Sequence, residues 1–83
     1  MPYINKNSRE RLEEAWSTPQ DCGELNYSFT KLINAYIGIK GEKYQTYNDI
    51  IGALEGAKME LYRRKVANYE NMKRIDNGDV YND

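Results

Sequence analysis

The apolar positions of the chain recur at helical spacing in three stretches, and they predict an all-α fold. Leu25, Phe29, Leu32, Ile33 and Tyr36 fall at i, i+4, i+7, i+8 and i+11, one stripe of a helix placed at 24–39. Asn26, Thr30 and Asn34 lie on a separate polar row. Asp21 or Gly23 opens this helix, and Gly38 and Gly41 are its stop signals. A shorter helix is expected at 8–16, capped by Ser8, with Leu12, Ala15 and Trp16 as a narrow apolar edge. Its attractive i,i+4 pair is Arg9/Glu13. Residues 1–7 read as an extended arm carrying Tyr3 and Ile4, and Ser17-Thr18-Pro19-Gln20 separates the first two helices.

The third stretch is the longest. Thr46 followed by Asp49 has the spacing of a capping box, with Asp replacing the preferred Glu. No strong breaker follows before Asn77-Gly78. A helix over 46–76 therefore runs for about thirty residues, or roughly 45 Å. Ile50, Leu54, Ala57 and Leu61 line its first half. Val66, Tyr69 and Met72 continue the line, with the stripe drifting around the axis. Residues 77–83 are a polar tail. A single small helical domain cannot cover so long a helix, so its second half is expected to pack on another copy of the chain.

Length and composition strengthen that expectation. Eighty-three residues bury only a modest core, and small cores usually need a disulfide, a metal or association. Cys22 is the sole cysteine and there is no histidine, so neither an internal disulfide nor a Cys/His metal site is expected. The formal charge of −1 gives no bulk attraction to a DNA or RNA duplex or to an anionic membrane. No apolar run reaches the ~20 residues of a membrane span. The first residues lack the apolar stretch of an export signal, and an unpaired cysteine suits a reducing cytoplasm. Eight tyrosines point to interfaces or a stacking site.

Catalysis finds little support. No histidine offers a base near neutral pH, Cys22 has no activating partner in view, and no Gly-rich phosphate loop follows a strand. No catalytic residue and no metal ligand is assigned. Glu55, Glu60 and Glu70 read as salt-bridge partners, Glu60 for Arg64 and Glu70 for Arg74. Binding finds more. From Glu55 to Asp76 six cations face four anions, which suits a small anion better than a long polyanion. Arg63, Arg64 and Lys65 fan over about 200° of helix, and arginine's planar fork fits phosphate or carboxylate. An ordinary solvated face is the plain alternative. Gly52-Ala53 and Gly56-Ala57 suit close helix packing, or else a flat floor for a planar ligand. Asn26 and Thr30 can read a base edge or simply satisfy backbone groups.

Several blocks carry a resemblance. They are MPYI at 1–4, GELNYSFTKLINAY at 23–36, YNDIIGALEGAKMELYRRKVANYE at 47–70 and NGDVY at 77–81. Their order resembles a family of short phage and prophage proteins, and the likeness covers nearly the whole chain outside the first helix. Where that family often has VAPYED this chain has VANYEN, so the helix continues without a proline. Within the family, the chain looks like the phage anti-CBASS sponges of the fourth described type. The resemblance implies a helical tetramer in the host cytoplasm that sequesters a cyclic dinucleotide, such as cyclic GMP–AMP, without cleaving it and without a cofactor. The residue types are compatible with that job: Lys58, Arg63 or Arg64 could meet phosphates, Tyr3, Tyr27 or Tyr62 could stack on base faces, and Asn26 and Thr30 could contact base edges. The competing reading is a phage protein that docks its long helix on a host protein.

Overall fold

The computed structural model describes residues 3–14 and 17–81. It is all-helical, as the apolar periodicity requires. Helix α1 spans Lys6–Glu13, α2 spans Cys22–Lys40 and α3 spans Tyr44–Leu61. A π-helical turn, Tyr62–Val66, joins α3 directly to α4, Ala67–Asn77. From Tyr44 to Asn77 the chain is thus one continuous long helix with a single change of pitch.

The caps explain the boundaries. Asn5, not Ser8, caps α1: its side-chain oxygen accepts the Ser8 amide proton at 2.8 Å. Asp21 caps α2, accepting from the Glu24 amide at 2.8 Å, while Glu24 Oε1 accepts from the Gln20 amide at 2.9 Å. This reciprocal arrangement is close to the one expected at Thr46 and Asp49. There the structure differs. The long helix starts two residues earlier, at Tyr44, and its cap residue Lys43 makes no side-chain bond. Asp49 instead accepts from the Gln45 side-chain amide, Nε2, at 2.8 Å, and Thr46 is enclosed, only 2 % exposed. Gly41 and Gly78 end α2 and α4 with φ of 88° and 91°, donating backward to Ile37 and Arg74. Both need the left-handed backbone that glycine adopts at no steric cost.

Packing inside the chain is sparse. α2 meets α3 across the short Gly41–Lys43 connection. There Ile33, Tyr36 and Ile37 are half-buried beside the enclosed Thr46 and half-buried Ile50. α1 packs on no other helix. Among the described residues no apolar side chain is buried. Leu25, Phe29 and Leu32 of the α2 stripe remain exposed, Leu32 at 69 %, as do Leu54 and Leu61 of the α3 stripe. Of the expected apolar edge of the first helix, Leu12 is exposed and Ala15 and Trp16 lie outside the described residues. The expected Arg9/Glu13 ion pair does not form. A Cβ added at Gly52 would meet nothing within 4 Å, so the chain itself supplies no close approach at that glycine.

Two magnitudes follow. The radius of gyration is 17.1 Å, where a compact chain of this length would have about 12 Å. The surface is 7890 Å², where a folded monomer of this size would expose about 5,100 Å². Helix formation fixes each backbone residue at ~1–2 kcal/mol, and burying a large apolar side chain returns ~1.5–3 kcal/mol. With no such side chain buried among the described residues, one chain alone has little apolar burial to set against that entropy.

The π turn has a visible cause in the apolar spacing. The stripe advances by four, three and four residues from Ile50 to Leu61, then by five to Val66. One extra residue in the turn absorbs that step, and the Ala67 amide donates to the Tyr62 carbonyl, i to i+5. The Asn68 side-chain amide donates to the Arg64 carbonyl at 3.0 Å, holding an acceptor at the turn. In a regular α-helix, Tyr62 and Glu70 would sit roughly 80° apart around the axis. The extra residue brings them into line, and the Tyr62 hydroxyl donates to Glu70. That bond, with the negative charge of Glu70, pushes the Tyr62 phenol above its ordinary value.

Candidate functional site

The site is built where the N-terminal arm reaches the long helix. Glu60, in the last turn of α3, projects from the same side as Arg63 and Arg64, three and four residues on. Its Oε1 accepts from Arg63 Nη2 at 2.7 Å and lies 3.4 Å from Arg64 Nε. Across 57 positions of sequence, the Tyr3 hydroxyl donates to the same oxygen at 2.8 Å. Arg64 Nη2 closes the group with a long 3.5 Å contact to the Tyr3 oxygen. One carboxylate oxygen therefore collects a phenol and two guanidiniums. The Glu60 side chain is only 17 % exposed, whereas those of Arg63 and Arg64 are mostly in solvent.

Alongside lies an open depression of about 530 Å³, lined by Gly56, Lys58, Met59, Glu60, Tyr62 and Arg63. All six residues belong to the one long helix, so the depression is an open surface along it and not an enclosed cavity. Met59 and Tyr62 supply its apolar and aromatic lining.

Of the residues singled out from the sequence, Tyr3, Arg63 and Arg64 converge on one oxygen, and Lys58, Tyr62 and Arg63 line one depression. Lys58 also pairs with Glu55 at 3.4 Å. Asn26, Tyr27 and Thr30 take no part in this cluster. Thr30 Oγ1 donates to the Asn26 carbonyl at 3.0 Å, so that hydroxyl serves the backbone of its own helix. Tyr27 stands exposed on α2. The expected Glu70–Arg74 pair is replaced on both sides: Glu70 accepts from Tyr62, and Arg74 Nη1 lies 3.7 Å from Asp79.

Glu60 is the residue that sequence reasoning undervalued. Read as a neutralising partner of Arg64, it does pair with Arg64 and is also shared with Arg63 and with the arm. Its position three residues before one arginine and four before the next was the available signal. The contact with Tyr3 had none, because nothing local links residues 3 and 60.

The Tyr3 hydroxyl, aided by the charges of Arg63 and Arg64, holds the Glu60 carboxyl below the ordinary carboxylate value, against an opposing effect of partial burial. The arm's tether is therefore complete above the unfolded value near 4.5 and is lost as pH falls through the lower folded value. The ring resonances of Tyr3 should hold steady from neutral pH to about 4.5 and move to free-arm positions below it. Tyr3→Phe should abolish that transition. A Tyr3 signal indifferent to pH in the wild type would contradict the tether.

The fold and this geometry define a class: an all-helical chain whose arm is bonded to the glutamate of a solvent-facing arginine cluster, beside an open, partly aromatic depression. The chain belongs to the family described as a domain of unknown function, DUF6899, whose model matches residues 1–80. No curated protein and no solved structure matches it. Among the described residues no helix is long and apolar enough to cross a membrane, and no group of side chains could hold a metal ion.

Proposed function

We propose that this protein is a phage-encoded sponge that binds a cyclic dinucleotide defence signal in the host cytoplasm and withholds it uncleaved, as a helical homo-oligomer. The observation that carries the reading is the convergence of Tyr3, Arg63 and Arg64 on one oxygen beside the Tyr62 depression. Paired guanidiniums match phosphate oxygens, and an adjoining aromatic ring offers a base a stacking face. The resemblance of the sequence blocks to phage anti-CBASS sponges supplies the ligand class. The exposed apolar stripes supply the assembly. The chain shows about 2,800 Å² more surface than a compact monomer of its size, against ~800 Å² contributed by each partner to an ordinary stable interface. A symmetric assembly would present the same residues to both halves of a twofold ligand. A tetramer is the state the resemblance favours, with no cofactor and no catalytic step.

Calorimetry and thermal shift with a panel of cyclic di- and trinucleotides test this function. Saturable binding is expected, with the nucleotide recovered intact after heat denaturation of the complex. Well-folded protein that binds no member of the panel would remove the sponge reading, and a hydrolysed ligand would make it an enzyme. One observation favours a second reading. Tyr69, Met72 and Ile75 leave α4 with exposed apolar residues at i, i+3 and i+6, which a host protein could cover. A stoichiometric host partner captured without nucleotide would support that alternative.

A further inference from the structure

We infer that Glu60 is an internal stand-in for the ligand: its carboxylate occupies the arginine cluster of the free protein, and a phosphate enters by displacing it. The inference rests on the anion-site reading above and adds how that site is kept and opened. Three donors aim at one oxygen, Glu60 Oε1, in the last turn of α3, and Arg63 and Arg64 both reach it from the π turn. Such a set fits a phosphate oxygen as well as a carboxylate oxygen, because both are anionic acceptors of charge-assisted bonds.

The two arginines face largely into solvent, so a ligand can approach them without moving a helix. Glu60 is the enclosed member, and it opens onto the depression that also exposes Arg63. Displacement therefore needs only a side-chain rotation. The rotation would also free Tyr3, whose hydroxyl is tied to the long helix through Glu60 and, weakly, Arg64. The arm is thus coupled to occupancy: latched when the carboxylate sits in the cluster, released when a phosphate does. In the free chain the carboxylate keeps two neighbouring guanidiniums oriented and partly neutralised. The cost is affinity, because every ligand competes with a tethered anion.

Inorganic pyrophosphate is the probe, since it carries phosphate groups and no base. Calorimetry on the wild type, Glu60→Gln and Glu60→Ala is expected to show about two- to fivefold tighter binding in both variants, the loss of a partly exposed ionic competitor. Alongside it, the side-chain carboxyl carbon resonance of Glu60 in the wild type should move towards that of a free glutamate as pyrophosphate saturates. A purely structural Glu60 would give neither result. Unchanged or weaker binding in both variants overturns the inference, as does an unmoved Glu60 carboxyl or the absence of pyrophosphate binding in all three proteins. Cyclic dinucleotide binding with an unmoved Glu60 would sink the inference and leave the sponge standing. Displacement of Glu60 by pyrophosphate, with no cyclic nucleotide bound, would do the reverse.

Discussion

Diluting the protein is expected to unfold it. No apolar side chain is buried among the described residues, so on the proposed assembly the helices would gain their stability from other copies and the folded fraction should follow concentration. Circular dichroism should show the midpoint of thermal unfolding rising with protein concentration. Sedimentation equilibrium should report a closed oligomer, with four chains as the expected number. Leu54→Asp and Leu61→Asp make the sharpest version of the test. Both leucines are exposed in the single chain, and an exposed substitution on a monomer costs within about 0.5 kcal/mol. Buried between copies, an unpaired carboxylate in place of leucine should cost about 3 kcal/mol or more per copy, enough to abolish assembly. Melting that ignores concentration, together with stable Leu61→Asp protein, would make the chain a monomer after all.

Removing both arginines should be the most damaging change to ligand binding. Charge-assisted contacts are worth ~1.5–3 kcal/mol each, so Arg63→Ala with Arg64→Ala is expected to weaken cyclic dinucleotide binding by roughly 10² to 10⁴. Helicity should survive, because both side chains are mostly in solvent and alanine favours the helix. Calorimetry on the folded double variant checks both halves of the statement. Undiminished affinity would move the ligand away from this cluster.

Much of the fold was legible because the helical repeat is strong. The stripe from Leu25 to Tyr36 placed α2 to within a few residues, and the absence of a breaker between Thr46 and Asn77 placed the long helix. The start of the long helix was misplaced because Thr46 reads as a cap by type, while the structure encloses it one turn inside. Caps depend on a local bond, and Lys43 supplies none. The π turn was present in the sequence as the five-residue step from Leu61 to Val66, visible as a drift of the stripe but not assigned a cause. The site was half legible. Arg63 and Arg64 announce themselves by charge and spacing, but Tyr3 joins them only through the tertiary path of the arm. Asn26 and Thr30 looked equally suited to a ligand, and helix-internal bonding claimed the threonine.

The five-residue turn also bears on how such a chain can vary over generations. Deleting any one residue of Tyr62–Val66 would leave an unbroken helix with every backbone bond made, so it need not harm the helix itself. It would also leave Tyr69, Met72 and Ile75 facing as they do now, because the turn already completes its revolution with one residue more than an α-helical turn uses. The same deletion in the regular turns of α3 or α4 has no such slack and would turn everything beyond it by about 100°, so the π turn is the one place where the long helix can lose a residue and keep its neighbours.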